Sequence, residues 1–228
     1  MVPTFCIDIK ALPAAEQFLL ARYTLHQQVY FHKATRCIER LIAEILRLVA
    51  EAASTDDYLK SLTGLDSDHP LIRFFKTQNP TVQDYLDLDD IVIFGALERL
   101  ERAEEKKISD LATRLRERNL YKTLDSRAFH PDSGWQVAGI KKVDKWISQN
   151  KIEAFKDPDA RLSIYTEVGG DEERAHKKLR ILEADGKRIA EITSASSYLS
   201  EVGSLILTRY YFANENDRER AKELGAKT

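Results

Sequence analysis

The chain has 228 residues, 43% of them hydrophobic and 32% charged, with a formal net charge of −2. That supplies enough apolar material for one large core or two small ones, and the charge balance argues against general nucleic-acid affinity, which comes with a basic excess. Cys6 and Cys37 show no CxxC spacing, which points to neither zinc nor a disulfide framework. No apolar run reaches the ~18 residues of a membrane span. Met1–Lys10 carries Asp8 and does not read as a signal peptide, so the expected setting is cytoplasmic.

Taken in order, FCIDIKAL (5–12) alternates as an edge strand or extended lead-in does. Pro13 suits a first helical turn, and from there to Ala53 the pattern predicts one continuous helix. Leu20, Phe31, Ile38, Ile42, Ile45 and Val49 fall on one apolar face. Nearly opposite lie Arg22, His26, Lys33, Arg36 and Arg40, with Val29 among them, and Tyr30 sits beside the stripe. Such a ridge is either a solvated face or a seat for an anion, and spacing alone does not choose.

Ser54 or Thr55 can cap a short helix running through Leu62. Gly64 and DSDHP (66–70) break it, and His69-Pro70 to Lys76 adds another turn or two. Asn79-Pro80-Thr81 opens a short helix containing Tyr85. Asp89-Asp90 opens the next, Ile91 to Arg102, with Ile91, Phe94, Leu97 and Leu100 at core spacing. From Glu98 to Arg118 charges of both signs are dense and mostly solvated; Glu98 and Arg102 attract at i,i+4. Ile108, Leu111 and Leu115 pin this segment to the core.

From about Trp135 the texture changes, with a change of period across 127–150. RLSIYTEV (161–168) and KLRILEADGKRIAEI (178–192) alternate like half-buried strands, and Asp185-Gly186 marks a hairpin turn. SSYLSEVGS reads as a helix, LILTRYYFA as a strand and ENDRERAKEL as a terminal helix. The expected fold is mainly α followed by a small α+β unit, a long-helix bundle packed on an antiparallel sheet. The expected domains are 1–130 and 131–228. Gly169-Gly170 and Asp185-Gly186-Lys187 lack the GxxxxGK[ST] frame of a phosphate loop.

LLARYTLHQQVYFHK (19–33), NPTVQDYLDLDD (79–90), SDLATRLRERNLYKTL (109–124) and RYYFANEN (209–216) occur in one order. This ordered set resembles the later part of the HD-domain deoxynucleoside triphosphate triphosphohydrolases, the family of the sterile-alpha-motif and HD-domain enzyme and its bacterial relatives. The resemblance implies a complete enzyme that cleaves a dNTP, dGTP-like, to deoxynucleoside and triphosphate with a metal-activated water. Its metal set, a His, a His-Asp pair and a later Asp, would lie upstream of the long helix. This sequence has no His-Asp dipeptide, and its five histidines, His26, His32, His69, His130 and His176, form no ligand pattern. Asp68-His69 has the reverse order and reads as loop. No metal or other cofactor is therefore expected on this chain alone. Hydrolysis would need a metal-bearing half from another polypeptide or a partner protomer, as in a shortened gene, a split enzyme or a cloned piece.

The resemblance also implies roles for particular residues. Arg22 aligns with an arginine on the substrate triphosphate, a role that suits a fixed-charge fork of donors; otherwise it is a surface ion-pair residue. Tyr30 aligns with a tyrosine lining the deoxyribose pocket, or else packs between helices. Phe31 departs from the animal enzyme's glutamine. His32 and Lys33 align with a second, allosteric nucleotide site, joined there by Arg118 and Lys122 from a neighbouring element or subunit; otherwise the lysines are ordinary exposed ones. The implied partners are a dNTP or related nucleotide and either a homo-oligomer or a metal-bearing HD half, with no membrane. The alternative is a catalytically dead nucleotide-binding or protein-interaction module. A single-stranded nucleic-acid binder using the ridge and nearby tyrosines fits the acidic balance least.

Overall fold

The structure, a computed structural model, describes residues 5–54, 59–130, 132–162, 178–201 and 205–227. The chain starts with a short strand, Ile7–Asp8 (β1), and then the helix Leu12–Leu25 (α1), with Pro13 in its first turn. A π turn over His26–Tyr30 follows, and then a 21-residue helix, Lys33–Ala53 (α2). Five helices come next: Leu59–Thr63 (α3), Pro70–Lys76 (α4), Val82–Leu86 (α5), Asp90–Leu100 (α6) and Lys106–Arg116 (α7). The strand Lys122–Asp125 (β2), the helix Ser133–Asn150 (α8) and the strand Ala154–Leu162 (β3) lead to a hairpin of Arg180–Leu182 (β4) and Ile189–Glu191 (β5). Ile192–Ala195 (α9), Ser197–Glu201 (α10), Leu205–Phe212 (β6) and Glu215–Ala226 (α11) complete the order. The molecule is mainly α with a small α+β unit, as expected.

The expected continuous helix from Pro13 to Ala53 is instead two helices. After the π turn the backbone leaves helical geometry at His32 (ψ 137°), whose Nδ1 accepts from the Ala34 N–H at 3.3 Å and caps α2. The break resets the helical phase. The buried stripe of α2 is Cys37, Leu41, Ile45, Val49 and Ala53, strictly i,i+4, while Ile38 and Ile42 sit at its margin. On α1, Leu19 is buried and Leu20 faces out. Ile91 and Phe94 of α6 are likewise exposed, and Ala96, Leu97 and Leu100 carry its burial.

Local chemistry accounts for the short helices. Thr81 and Asp84 form a reciprocal capping box at α5, and Asp89 caps α6 through the Val92 N–H at 2.9 Å. His69 caps α4 through Leu71 N–H, ahead of Pro70. Ser54 closes α2 rather than opening the next helix, its hydroxyl donating to Glu51 O at 2.6 Å. Thr55, Gly169-Gly170, the run beyond Leu162 and the end of SSYLSEVGS lie outside the described residues. The 127–150 stretch holds the 18-residue α8, which starts where Asp132 accepts from Gly134 N–H at 2.7 Å.

Two small sheets organise the packing. β2 and β3 flank β6 antiparallel, with Leu124 opposite Tyr210 and Phe155 opposite Tyr211. β4 pairs parallel with β1 and antiparallel with β5, and Gly186 takes positive φ in the hairpin turn. The largest apolar cluster joins α2 to α4, α6 and α7 and reaches Tyr211 of the central strand. A second lies under α8 and α11 around Phe129, Val143 and Phe212. A third joins Leu19 of α1 to Ile181, Ile192 and Leu199.

Candidate functional site

The start of α2 meets the loop that follows α7. Glu117 ends α7, Arg118 takes the left-handed conformation (φ 56°), and Asn119 N–H returns to Arg114 O at 2.9 Å. That reversal turns the chain into β2, so Arg118 and Lys122 flank the first residue of α2, Lys33. The three line one cavity of about 280 Å³ together with Cys37, Tyr121 and Thr123. Its lining contains three cations and no carboxylate. Among the described residues Lys33 and Arg118 form no ion pair. The Glu215 carboxyl is held low by Arg218 first, with Lys122 adding to it.

The floor is rigid. Tyr121 is buried, stacks on Phe155 at 5.1 Å, lies under the Arg114 guanidinium at 4.9 Å and donates its hydroxyl to Glu153. Burial, then that hydrogen bond to Glu153, pushes its pKa well up, so it remains a phenol. Burial also pushes the Cys37 thiol up, leaving a small neutral wall. The N-terminus of α2 adds a positive dipole end, its Ala34 N–H already taken by His32 Nδ1. Three cations without a competing carboxylate give the cavity a positive lining.

The predicted ridge divides on folding. Arg36 and Arg40 are not free: Asp157 of β3, fully buried, accepts from Arg36 Nε at 2.9 Å and Nη2 at 2.8 Å and from Arg40 at 2.6 Å. Burial alone would raise the Asp157 pKa; the hydrogen bonds from the two arginines outweigh it and hold it below the usual carboxylate range. Arg209 of β6 donates to the Phe31 carbonyl at the helix break and meets Asp125 at 3.4 Å. The central sheet thus clamps the start of α2 from two strands. Sequence reasoning missed both clamps. The signal for the first was an i,i+4 arginine pair and a later strand, AFKDPDARL, that carries two acids.

The other predicted site residues lie apart. His32 spends Nδ1 on its cap and stands beside the cavity rather than in its lining. Arg22 is exposed in the last turn of α1. Tyr30 is 57% exposed, its ring 4.8 Å from that of His26. Neither Arg22 nor Tyr30 lines this cavity or the apolar one of about 390 Å³ between α2, α4, α5 and α6. Among the described residues no group of three or more His, Cys, Asp or Glu could hold a metal. Those residues do not fit the metal set the resemblance implies, and no water activation is assigned to them. No helix among them is long and apolar enough to cross a membrane.

Comparison with known proteins bears on this geometry. Residues 3–87 match the family model described as an HD associated region. An uncharacterized protein of Bacillus subtilis, YwfO, is 28% identical over 128 residues, which span 55% of this chain and 27% of that protein. Among solved structures, a phosphohydrolase from Bacteroides thetaiotaomicron superposes with a TM-score of 0.61 at 22% identity, over 92% of this chain and 52% of that one. A hypothetical protein from Aquifex aeolicus gives 0.58 at 19% identity, over 96% of this chain and 46% of that one. The chain therefore spans about a quarter of the curated relative and about half of each solved neighbour. The family-model match concerns residues 3–87 alone, and the two solved structures share the fold of nearly the whole chain.

Proposed function

We propose that this chain is the nucleotide-sensing later part of an HD-type phosphohydrolase, binding a deoxynucleoside triphosphate at Lys33, Arg118 and Lys122 as an effector. The observation that supports it most is the convergence of these three cations, with no carboxylate, on one cavity at the start of α2. A triphosphate carries several negative charges on a short chain. Arg118 can bond two of its oxygens in a fork, while the lysines supply point charges. In this reading Arg22 and Tyr30, exposed on the α1 side of the clamped break, face a substrate bound by a metal-bearing half. That half holds the ion, and hydrolysis takes place there.

The test is thermal unfolding of the full chain with dGTP, deoxyguanosine or inorganic triphosphate, without added metal. Ligand that binds only the folded state raises the midpoint in proportion to the logarithm of its concentration. Triphosphate-dependent stabilisation that disappears in Arg118→Ala and Lys122→Ala is the expected result. No shift with any triphosphate, or an equal shift in the variants, rejects the effector site. A catalytically inert protein-interaction module is the second reading, favoured by the exposed apolar side chains Phe18, Val82, Tyr85, Ile91 and Phe94.

A further inference from the structure

The helix α6 turns an apolar face to water. Ile91, Phe94, Gly95 and Glu98 share one side of it at i, i+3, i+4 and i+7, away from the buried Leu97 and Leu100. Ile91 is 79% exposed and Phe94 55%. On α5, joined to α6 by Asp87-Leu88-Asp89, Val82, Tyr85 and Leu86 are exposed as well. Tyr85 also lines the apolar cavity of about 390 Å³ beside α2 and α4. Gly95 lies within this face, and nothing inside the fold asks for a glycine there. A Cβ at that position would meet nothing within 4 Å, and its φ is not left-handed. A glycine inside a helix is less stable than an alanine. What bare backbone on a helix surface does permit is close approach by another chain.

The charge around this face is one-sided. Five acids, Asp84, Asp87, Asp89, Asp90 and Glu98, lie between Lys76 and Arg99, and no Lys or Arg does. Arg73 reaches in, 3.6 Å from Asp84 and 3.8 Å from Asp87. At the far end Arg99 and Arg102 are held by Asp66 and Glu98. Exposed apolar surface with a charged rim marks an interaction site. We propose that the α5–α6 face docks a basic amphipathic helix of a different protein, which crosses α6 over Gly95 and seats its apolar side chains beside Ile91, Phe94 and Tyr85. Anchors at i, i+3, i+4 and i+7 are what such a groove reads. The partner's lysines and arginines meet the aspartates, which orients the encounter and makes it salt-sensitive. The contact uses none of the residues assigned to the effector cavity or facing the metal-bearing half, and it stands whether or not a triphosphate binds.

The test is fluorescence anisotropy of the full chain with a labelled helical peptide of about 18 residues, carrying leucine at i, i+3, i+4 and i+7 and lysine elsewhere. One control peptide has glutamate for every lysine; the other has the same composition with its leucines scattered round the helix. The lysine peptide should bind about tenfold more tightly than either control and weaken with added salt. Gly95→Met blocks the crossing and Phe94→Asp removes an anchor, and each should weaken binding about tenfold. Both positions face water, so both variants should stay folded, and Gly95→Met should melt no lower than wild type. No binding of the lysine peptide, equal binding of a control peptide, or binding that survives both substitutions overturns the proposal. So does a chain that sediments as an oligomer and returns to monomer in Phe94→Asp, because a second copy is then the occupant.

Discussion

At the residue scale the most consequential side chain is Asp157. It is fully buried, and its carboxylate holds Arg36 and Arg40 together on one side of α2. Asp157→Asn removes the charge and keeps the shape, leaving two guanidinium groups facing an amide. Removing one partner of a fully buried pair costs about 3–5 kcal/mol; the arginines here are partly solvated, so about 2 kcal/mol is expected, read from urea denaturation. Glu44 makes a separate acid-sensitive point. Hydrogen bonds from Arg47, outweighing burial and helped by Lys107, hold its carboxyl at about 2 against an ordinary 4.5. A folded-state pKa below the unfolded one stabilises the charged form. That contribution is complete above pH 4.5 and is lost as pH falls towards 2. Glu44→Gln should therefore flatten the urea midpoint across that window relative to wild type, with the two proteins converging at the acid end.

At the scale of elements, the contact of α8 with α11 depends on two glycines. A Cβ on Gly139 would lie 2.6 Å from the Gly225 carbonyl oxygen and 2.9 Å from the Phe129 ring, and one on Gly225 only 2.4 Å from that ring. The two helices approach over bare backbone, with Phe129 wedged beside them. Gly139→Ala gains helix propensity but must push Phe129 or α11 away; overpacking of this kind costs about 1–3 kcal/mol. The expected net result is a lower melting temperature, measured by circular dichroism, and Gly95→Ala on α6, where nothing lies within 4 Å, is the control that should not fall. α8 is also the element least visible in the sequence. Gly134 and Gly139, poor helix formers, interrupt its pattern, and only the Asp132 cap and its packing on α11 make the helix plain.

At the scale of the whole molecule, residues far apart in sequence share one cluster. β1 and α1 pack on β4, α9 and α10 through Leu19, Ile181, Ile192 and Leu199, apart from the cluster under α8 and α11. Ile181→Ala removes a fully buried side chain, a loss worth about 2–5 kcal/mol in a core. Hydrogen exchange should then rise in α1 and the β4–β5 hairpin while α8 and α11 stay protected. Equal loss of protection everywhere would show one cooperative unit instead.

The sequence alone determined the elements whose signals are local. Pro13, Asn79-Pro80-Thr81, Asp89-Asp90 and the Asp185-Gly186 turn each act within three or four residues of chain, and each opens or reverses an element where read. The mainly α character with a small α+β end followed from them. Tertiary structure decided the rest. At the break at Phe31–His32, Arg209 from β6 donates to a carbonyl 178 residues away, a contact that no helical periodicity registers. Asp157 turned two of the five basic residues of the predicted ridge, Arg36 and Arg40, into an internal clamp, because a buried carboxylate takes its partners from whatever helix packs over it. The meeting of Lys33 with Arg118 and Lys122 depended on the left-handed residue that turns α7 back towards α2, where long-range packing, rather than spacing along the chain, sets the distance between charges.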